Sequence, residues 1–425
     1  MNFYIETFGC KVNAYESSFM KKSMISGGFF YVENIIDADI IIINTCTVTN
    51  MADSKCKKFV RRIKRENDKA ILVVVGCSVQ NNYEVYKEMD IDILLGNVNK
   101  SKIVNIINNY INTKEKYCEI FKSRDLEFEN MNIENFEHTR AFIKIQDGCD
   151  NFCAYCIIPF MRGKCRSKSF DLIIDEAKRL VANGHKEIVL TGIHTGSYND
   201  SNKDLVDVIN ELSKIEGLFR IRLSSVEITE LNDKFMNMLK TNEKFCDHLH
   251  IPLQAGSNEV LKMMKRKYDL NYFYKKIEDI RKIRPNISIT TDIIVGFPEE
   301  TDEMFLSTYD FSKKIKFSKI HVFPYSKREG TKAANMKNQI DGNIKKQRVK
   351  KLLEISKELE LDYMQKHLNK TIDFIPEVYK DGYLIGHSEN YLLIKAKGTK
   401  NNLKNNISVK LTKITYPYIE GKINY

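Results

Sequence analysis

Three cysteines fall within eight residues, Cys149, Cys153 and Cys156, spaced C-x3-C-x2-C. That run puts three thiolates on one compact loop, where they can hold three corners of an iron–sulfur cubane. A 4Fe–4S cluster takes four ligands, so three leave one iron open to an external group. Structural zinc instead closes with four nitrogen or sulfur ligands, and no fourth lies near in sequence. The ferredoxin spacing C-x2-C-x2-C is not matched either. A second trio is scattered, each member ending an apolar run: Gly9-Cys10, Thr45-Cys46 and Gly76-Cys77. Cysteines at strand ends are also ordinary small buried hydrophobes, so by itself this trio stays open between ligand and core. Cys56, Cys118, Cys165 and Cys246 have no partner at ligand spacing and read as structural or incidental. Cys165 stands out, nine positions past Cys156 in a loop of glycine and arginine.

The elements around these cysteines alternate. Short buried strands are expected at 2–8, 39–44 and 70–75, with helices at 14–26 and 52–66. Continuous β-branched runs without polar alternation predict strands covered on both faces, hence a mostly parallel α/β sheet. The carboxyl ends of such strands share one edge, where ligands sit, so three distant thiols can converge there. From 125 to 137 the chain turns acidic and Asn-rich without periodicity, the pattern of a linker. A second α/β block runs from 140 to about 364, with strands expected at 141–146, 186–190, 219–223, 248–252, 287–294 and 319–323. Six βα units in sequence predict an incomplete barrel with fewer than eight strands. A long basic helix, 343–367, closes it. Short β-rich runs separated by Gly, Asn and Asp turns then predict a small five-stranded barrel.

The composition fits a folded, water-soluble chain: 425 residues, 43% hydrophobic and 29% charged. Its longest apolar runs are far too short to span a bilayer, and the N-terminal MNFYIETFGC has no signal-peptide pattern. The expectation is a cytoplasmic protein without a membrane partner, in which ten cysteines mean metal or redox chemistry rather than disulfides. A net charge of +11 suits a polyanionic partner. The stretch 262–284 carries nine Lys/Arg among Tyr268, Tyr272, Phe273 and Tyr274. Aromatics among cations can stack bases, although at helical spacing they are more often core.

Beyond the cysteine loop, the ordered motifs Gly9-Cys10-Lys11-Val12-Asn13, Asn44-Thr45-Cys46, Gly76-Cys77, Lys144 to Cys149, Ile157-Ile158-Pro159 with Arg162-Gly163, Leu190 to Ile193, Arg222 to Ser225, His250 to Gln254 and Thr291 to Pro298 cover nearly the whole chain. With them the sequence resembles the radical S-adenosylmethionine (SAM) enzymes, and more narrowly the methylthiotransferases that modify tRNA or a ribosomal protein. The resemblance implies an N-terminal α/β domain (1–112), a linker (113–138), a partial (β/α)6 radical SAM core (139–366) and a small RNA-binding β-barrel of the TRAM type (367–425). It also implies two 4Fe–4S clusters. Cys149, Cys153 and Cys156 would hold the one whose open iron chelates SAM, which an electron splits into methionine and a 5′-deoxyadenosyl radical. Cys10, Cys46 and Cys77 would hold an auxiliary cluster carrying the sulfur to be methylated and transferred.

By the same resemblance Gly192 and Gly196 would bind the methionine end of SAM, Ser224 and Glu227 would meet its ribose, and Asp292 and Gly296 would border the adenine or the radical's path. His194, His250 and His321 read equally as ordinary hydrogen-bonded histidines or as catalytic groups, although no general base is required, because the radical abstracts hydrogen directly. Two molecules of SAM would serve each turnover. The partners implied are tRNA and a reducing protein such as flavodoxin or ferredoxin, with no DNA. Cys10-Lys11-Val12-Asn13 is similar to the threonylcarbamoyladenosine branch, in which adenine C2 is modified just 3′ of the anticodon; Phe8, where Leu is commoner, is a mild departure. The alternatives are isopentenyladenosine tRNA, a ribosomal-protein aspartate and, from another class, a non-catalytic iron–sulfur RNA-binding protein.

Overall fold

The Ile- and Val-rich segments make strands with both faces buried, as their composition requires. In the computed structural model, which describes residues 1–424, these are β3 (Ile40–Thr45) and β4 (Ile71–Gly76). They sit at the centre of a parallel sheet ordered β2-β1-β3-β4-β5-β6, with β1 at Asn2–Thr7, β2 at Phe30–Tyr31, β5 at Ile93–Leu95 and β6 at Tyr117–Glu119. Helices Lys11–Ser26 and Ile103–Thr113 cover one face through Met20, Met24, Ile103 and Ile107. Helix Asn50–Glu66 covers the other through Val60 and Ile63, and Thr49 caps its N-terminus on the Ala52 N–H.

The stretch 113–138 does more than connect. It supplies β6, and Met131, Ile133 and Phe136 are buried in the core of the central block. Polar composition hid three apolar anchors there, while Glu129 accepts from the Ser101 N–H at 2.6 Å.

The central block holds β7 (Arg140–Lys144), β8 (Gln146–Asp147), β9 (Arg166–Ser167), β10 (Glu187–Thr191), the small hairpin β11 (Asn199–Asp200) and β12 (Lys203–Asp204), then β13 (Arg220–Leu223), β14 (His248–His250), β15 (Ser288–Val295) and β16 (Lys319–Pro324). The barrel wall is two parallel three-stranded segments, β13-β10-β7 and β14-β15-β16. Backbone bonds from Ile221 N–H to Lys244 O, 2.8 Å, and from Cys246 N–H to Ile221 O, 2.9 Å, join them. Alternate positions turn apolar side chains such as Ala141, Ile143, Ile188 and Ile289 to the surrounding core. Polar side chains meet on the other side: Arg222 with Glu187, His248 and His250 with Thr290, and His250 with Asp292.

Helix Gly342–Gln365 packs on β16 and leads into a closed barrel ordered β17-β18-β19-β21-β20 (Thr371–Lys380, Tyr383–Ser388, Leu393–Lys397, Tyr418–Ile423 and Ile407–Thr415). Phe374, Leu384, Ile394, Val409, Leu411 and Ile419 fill it. The turn between β18 and β19 docks on the central block: Arg222 donates to Glu389 O at 2.9 Å and Ser388 O at 3.2 Å, and Arg220 to His387 O at 3.2 Å. Among the described residues no helix is long and apolar enough to cross a membrane.

Candidate active site between two cysteine trios

The cysteine loop leaves the barrel after β8. Gly148 has φ +74°, and a Cβ there would press on the backbone of Gly163 and Lys164, so only glycine lets the chain turn at that point. Cys149 N–H then bonds Gly163 O at 3.1 Å, Cys156 N–H bonds Cys153 O at 3.0 Å, and Ala154 is tied to Met264 O at 3.0 Å. All three thiols are half-buried. The Asn151 N–H approaches Cys149 Sγ at 3.5 Å and Arg266 donates to Cys153 Sγ at 3.3 Å, while burial pushes Cys156 up to about 12. Donors aimed at sulfur favour thiolate ligands, which a cluster requires.

The second trio forms at the carboxyl edge of the N-terminal sheet, as strand ends in a parallel sheet should. Gly9, at φ +113°, brings the chain so close that a Cβ would lie 2.7 Å from Cys46 Cβ and 2.9 Å from its sulfur. Cys46 and Cys77 are buried and Cys10 faces solvent. Burial pushes Cys46 up to about 12, helped by Cys77 and Cys10, so the three thiols lie within one another's field. Cys77 Sγ accepts from Arg162 Nε and from Asn97 Nδ2, both at 3.3 Å. Cys56, read as structural or incidental, is buried directly against Cys46: its sulfur is 3.5 Å from the Cys46 N–H and donates to Cys46 O at 3.7 Å. Among the described residues no three His, Cys, Asp or Glu side chains close on a single ion. Each trio offers thiols alone, the donor set an iron–sulfur cluster takes.

Arg162 joins the two sites. It stands six residues beyond Cys156, yet its guanidinium reaches Cys77, Asn13 Oδ1 at 2.8 Å and Glu16 Oε1 at 2.6 Å. Glu16 also receives Lys100 at 2.5 Å and Lys144 at 2.8 Å, and Lys144 and Arg166 hold Asp147 at 2.7 and 3.0 Å. Burial opposes the charge on Glu16, but Arg162, Lys100 and Lys144 outweigh it and hold the carboxyl well below the usual range. Asp147 is lowered in the same way against its own burial. Between the domains lies a cavity of about 220 Å³, lined by Val48 and Thr49 just past Cys46, by Cys156, and by Asp292, Ile294 and Phe323.

Of the residues expected to contact SAM, Asp292 lines this cavity and faces His250 Nε2 at 3.2 Å. Glu227 lines a neighbouring recess of about 110 Å³ with Cys153 and His194, and is clamped by Arg266. A Cβ on Gly192 would lie 3.0 Å from Gln146 Oε1, and one on Gly196 would run into the Glu230 carboxylate. Ser224 Oγ sits 3.4 Å from Thr195 Oγ1. Gly296 lines neither space; its N–H donates to Glu300 Oε2 at 2.5 Å. His194 is hydrogen-bonded: it pairs with Glu230, and hydrogen bonds with Cys149, Cys165 and Glu230 overcome its burial and push it up to about 12. Cys165 therefore lies beside the cysteine loop, with Ser197 Oγ at 3.4 Å. Sequence reasoning missed Arg162, Arg266 and Glu16 as site residues. Of these only Arg162 gave a signal, in the Arg162-Gly163 step after the cysteine loop.

A six-stranded partial barrel with C-x3-C-x2-C after its first strand defines a radical SAM enzyme, and residues 143–312 match the Radical SAM superfamily model. The fold resembles the radical S-adenosylmethionine methyltransferase TsrM from Kitasatospora setae, with a TM-score of 0.59 at 13% identity over 78% of this chain and 76% of that one. Residues 2–96 match a model described as uncharacterized protein family UPF0004. Threonylcarbamoyladenosine tRNA methylthiotransferase MtaB of Bacillus subtilis is 40% identical over 98% of this chain and 95% of that protein. Its namesake from Aquifex aeolicus is 38% identical over 94% and 98%. The tRNA-2-methylthio-N(6)-dimethylallyladenosine synthase of Carboxydothermus hydrogenoformans is 32% identical over 99% and 98%. The chain belongs to the radical SAM methylthiotransferase family. It is an enzyme that transfers a sulfur-containing group and, as the family implies, uses a 4Fe–4S cluster and SAM.

Proposed function

We propose that this enzyme converts N6-threonylcarbamoyladenosine, 3′ of the anticodon of tRNA, to its 2-methylthio derivative. The observation that carries the reading is the cavity between the domains, with Cys156 of one trio on one wall and the residues after Cys46 of the other facing it. The relatives that share nearly the whole chain support the substrate. Cys149, Cys153 and Cys156 hold one 4Fe–4S cluster, and Cys10, Cys46 and Cys77 hold a second. When bound, the first supplies the electron that cleaves SAM and the second supplies the sulfur, with two SAM consumed per turnover.

The chain's own residues position these parts. Arg266 orients Glu227 and donates to Cys153. Arg162 and Asn97 donate to Cys77 and leave Cys10 at the open edge. SAM contacts are assigned to Gly192 and Gly196 at the methionine end, Ser224 and Glu227 at the ribose, and Asp292 and Gly296 near the adenine. The domains divide at 1–112, 139–366 and 367–425, with 113–138 strapped across the first two. The work is done in the cytoplasm, with a reducing protein such as flavodoxin or ferredoxin as donor. Mass analysis of tRNA nucleosides from cells with and without the gene tests the reading: the 2-methylthio-threonylcarbamoyl nucleoside should vanish with the gene and its unmethylthiolated precursor accumulate. Loss of a different methylthio nucleoside would refute it.

A further inference from the structure

Helix Asn50–Glu66 connects β3 to β4, which are parallel, so it must run back from the carboxyl edge of the sheet to the amino edge. Its start is pinned beside the cavity between the two trios. Thr49 lines that cavity, and Asn50 donates to Ser326 Oγ at 3.1 Å and to Lys327 O at 3.0 Å in the central block. From there its 17 residues lead away along the flank of the N-terminal domain, for about 25 Å at the helical rise of about 1.5 Å per residue.

The helix carries seven Lys/Arg and two carboxylates. Asp53, Cys56, Val60 and Ile63 share its buried side. Lys55, Lys58, Arg61, Arg62 and Arg65 are all exposed, and at 3.6 residues per turn they fall within an arc of about 120° on the opposite side. Asp53 holds Lys57, Glu66 holds Arg62 and Asp90 holds Lys64, each at 3.0 Å, while among the described residues Lys55, Lys58, Arg61 and Arg65 have no carboxylate at ion-pair distance. A face kept only for solubility mixes both signs. A stripe of one sign makes a field that draws a polyanion, and the arginine fork suits phosphate oxygens. At the helix start the surface turns apolar. Val48 and Met51 are 53% and 70% exposed, and Phe323, which lines the cavity with Val48, is 42% exposed. Unstacked bases take apolar and aromatic surface and phosphates take cations, which is the order this flank presents from the cavity outward.

We propose that Lys55, Lys58, Arg61 and Arg65 hold the phosphates of the anticodon stem, with the anticodon loop laid over Val48, Met51 and Phe323 at the cavity mouth. This rests on tRNA as the substrate and adds where the N-terminal domain grips it. The contact is to backbone, so it sets direction and register without reading sequence. Because the helix is tied both to its own sheet and to the central block, a stem lying along it brings the loop to the cavity. An acidic reducing protein is the other polyanion such a face could take. That protein has to approach the loop of Cys149, Cys153 and Cys156, whereas the stripe stands on the other domain and leads away from the cavity that Cys156 lines.

The test measures the dissociation constant of full-length tRNA for the reconstituted enzyme between about 50 and 200 mM KCl, the range in which phosphate contacts are most visible. One variant combines Lys55→Gln, Lys58→Gln, Arg61→Gln and Arg65→Gln. A second keeps the charge through Lys55→Arg, Lys58→Arg, Arg61→Lys and Arg65→Lys. Both are first checked for iron content and circular dichroism. The neutral variant should flatten the log–log salt dependence by roughly 3, at about 0.7 to 0.9 for each lost phosphate contact, and the charge-keeping variant should hold the wild-type slope. A wild-type slope in the neutral variant makes the stripe a solvated face and overturns the proposal. Equal flattening in both variants overturns it too, because charge would not be the cause. Turnover at saturating tRNA is also compared with flavodoxin and with dithionite as reductant. If the neutral variant loses only the flavodoxin-driven rate while its tRNA slope is intact, the face belongs to the electron donor and the proposal falls. If the wild-type enzyme itself does not bind tRNA, the substrate reading has failed and the stripe with it.

Discussion

The two cysteine trios solve one problem by opposite routes. Cys149, Cys153 and Cys156 come from a single loop whose turn is set by Gly148 and by backbone bonds to Gly163 and Met264. Cys10, Cys46 and Cys77 come from three strand ends, and meet only because β1, β3 and β4 are parallel neighbours in register. The first site is local and survives as long as its loop does. The second depends on the sheet and on Arg162, a side chain lent by the other domain.

Replacing Cys149, Cys153 and Cys156 by Ala should have the largest effect: 5′-deoxyadenosine formation falls to nothing and iron drops by about half. Residual SAM cleavage would end the assignment of that loop. Replacing Cys10, Cys46 and Cys77 by Ala should spare SAM cleavage while methylthio transfer stops. A well-folded variant that loses both activities would mean the two sites are not separable.

Smaller effects probe the junction. Glu16→Gln leaves Arg162, Lys100 and Lys144 short of a buried anion and should destabilise the apoprotein by about 3–5 kcal/mol, read from its urea midpoint. A change below about 1 kcal/mol would mean that the junction relaxes around the loss. The pH dependence has a definite sign. The folded pKa values of Glu16 and Asp147 are depressed, so their contribution is complete above the ordinary values of 4.5 and 3.8 and is lost as pH falls through the lower folded values. The thermal midpoint of the apoprotein should therefore fall below pH 4.5, and fall less steeply in Glu16→Gln. An equal slope in both proteins would remove Glu16 from the acid response.

The smallest effects concern RNA. Lys370, Lys380, Lys410 and Lys413 are exposed on the C-terminal barrel, and arginine is absent from 367–425. Lysine meets phosphate as a point charge, so this surface should hold the backbone without reading sequence. Each Lys→Ala that removes a phosphate contact should flatten the log–log salt dependence of tRNA binding by roughly 0.7 to 0.9. An unchanged slope in all four would move the RNA elsewhere. Point substitutions suit this test better than truncation, which would strip Arg220 and Arg222 of their acceptors in the β18–β19 turn.

Legibility followed the same local-versus-distant divide. The runs at 40–45 and 71–76 could be read as strands because β-branched continuity leaves few other choices. The cysteine loop was legible because its ligands are contiguous. In 262–284 Phe273 proved to be core, while Tyr272 is exposed. The short strands β2, β5 and β6 carried no pattern long enough to see, and β6 hid in a polar stretch. Glu16 and Lys100 could not be found at all, and Arg162 showed only as part of the Arg162-Gly163 motif, without its partners. An isolated charge in a sequence looks solvated, and only tertiary packing reveals which ones face each other in the dark.

The Glu16 junction also bears on how a large RNA reaches a small cavity. Swinging the N-terminal domain aside would part Glu16 from three cations and expose or strand them, at a cost of several kcal/mol. Turning one nucleotide out of an anticodon loop costs only a few kcal/mol, and less where it is poorly stacked. The cheaper motion belongs to the RNA. On that comparison eversion of the target adenosine is the expected route into the gap, with the junction left closed.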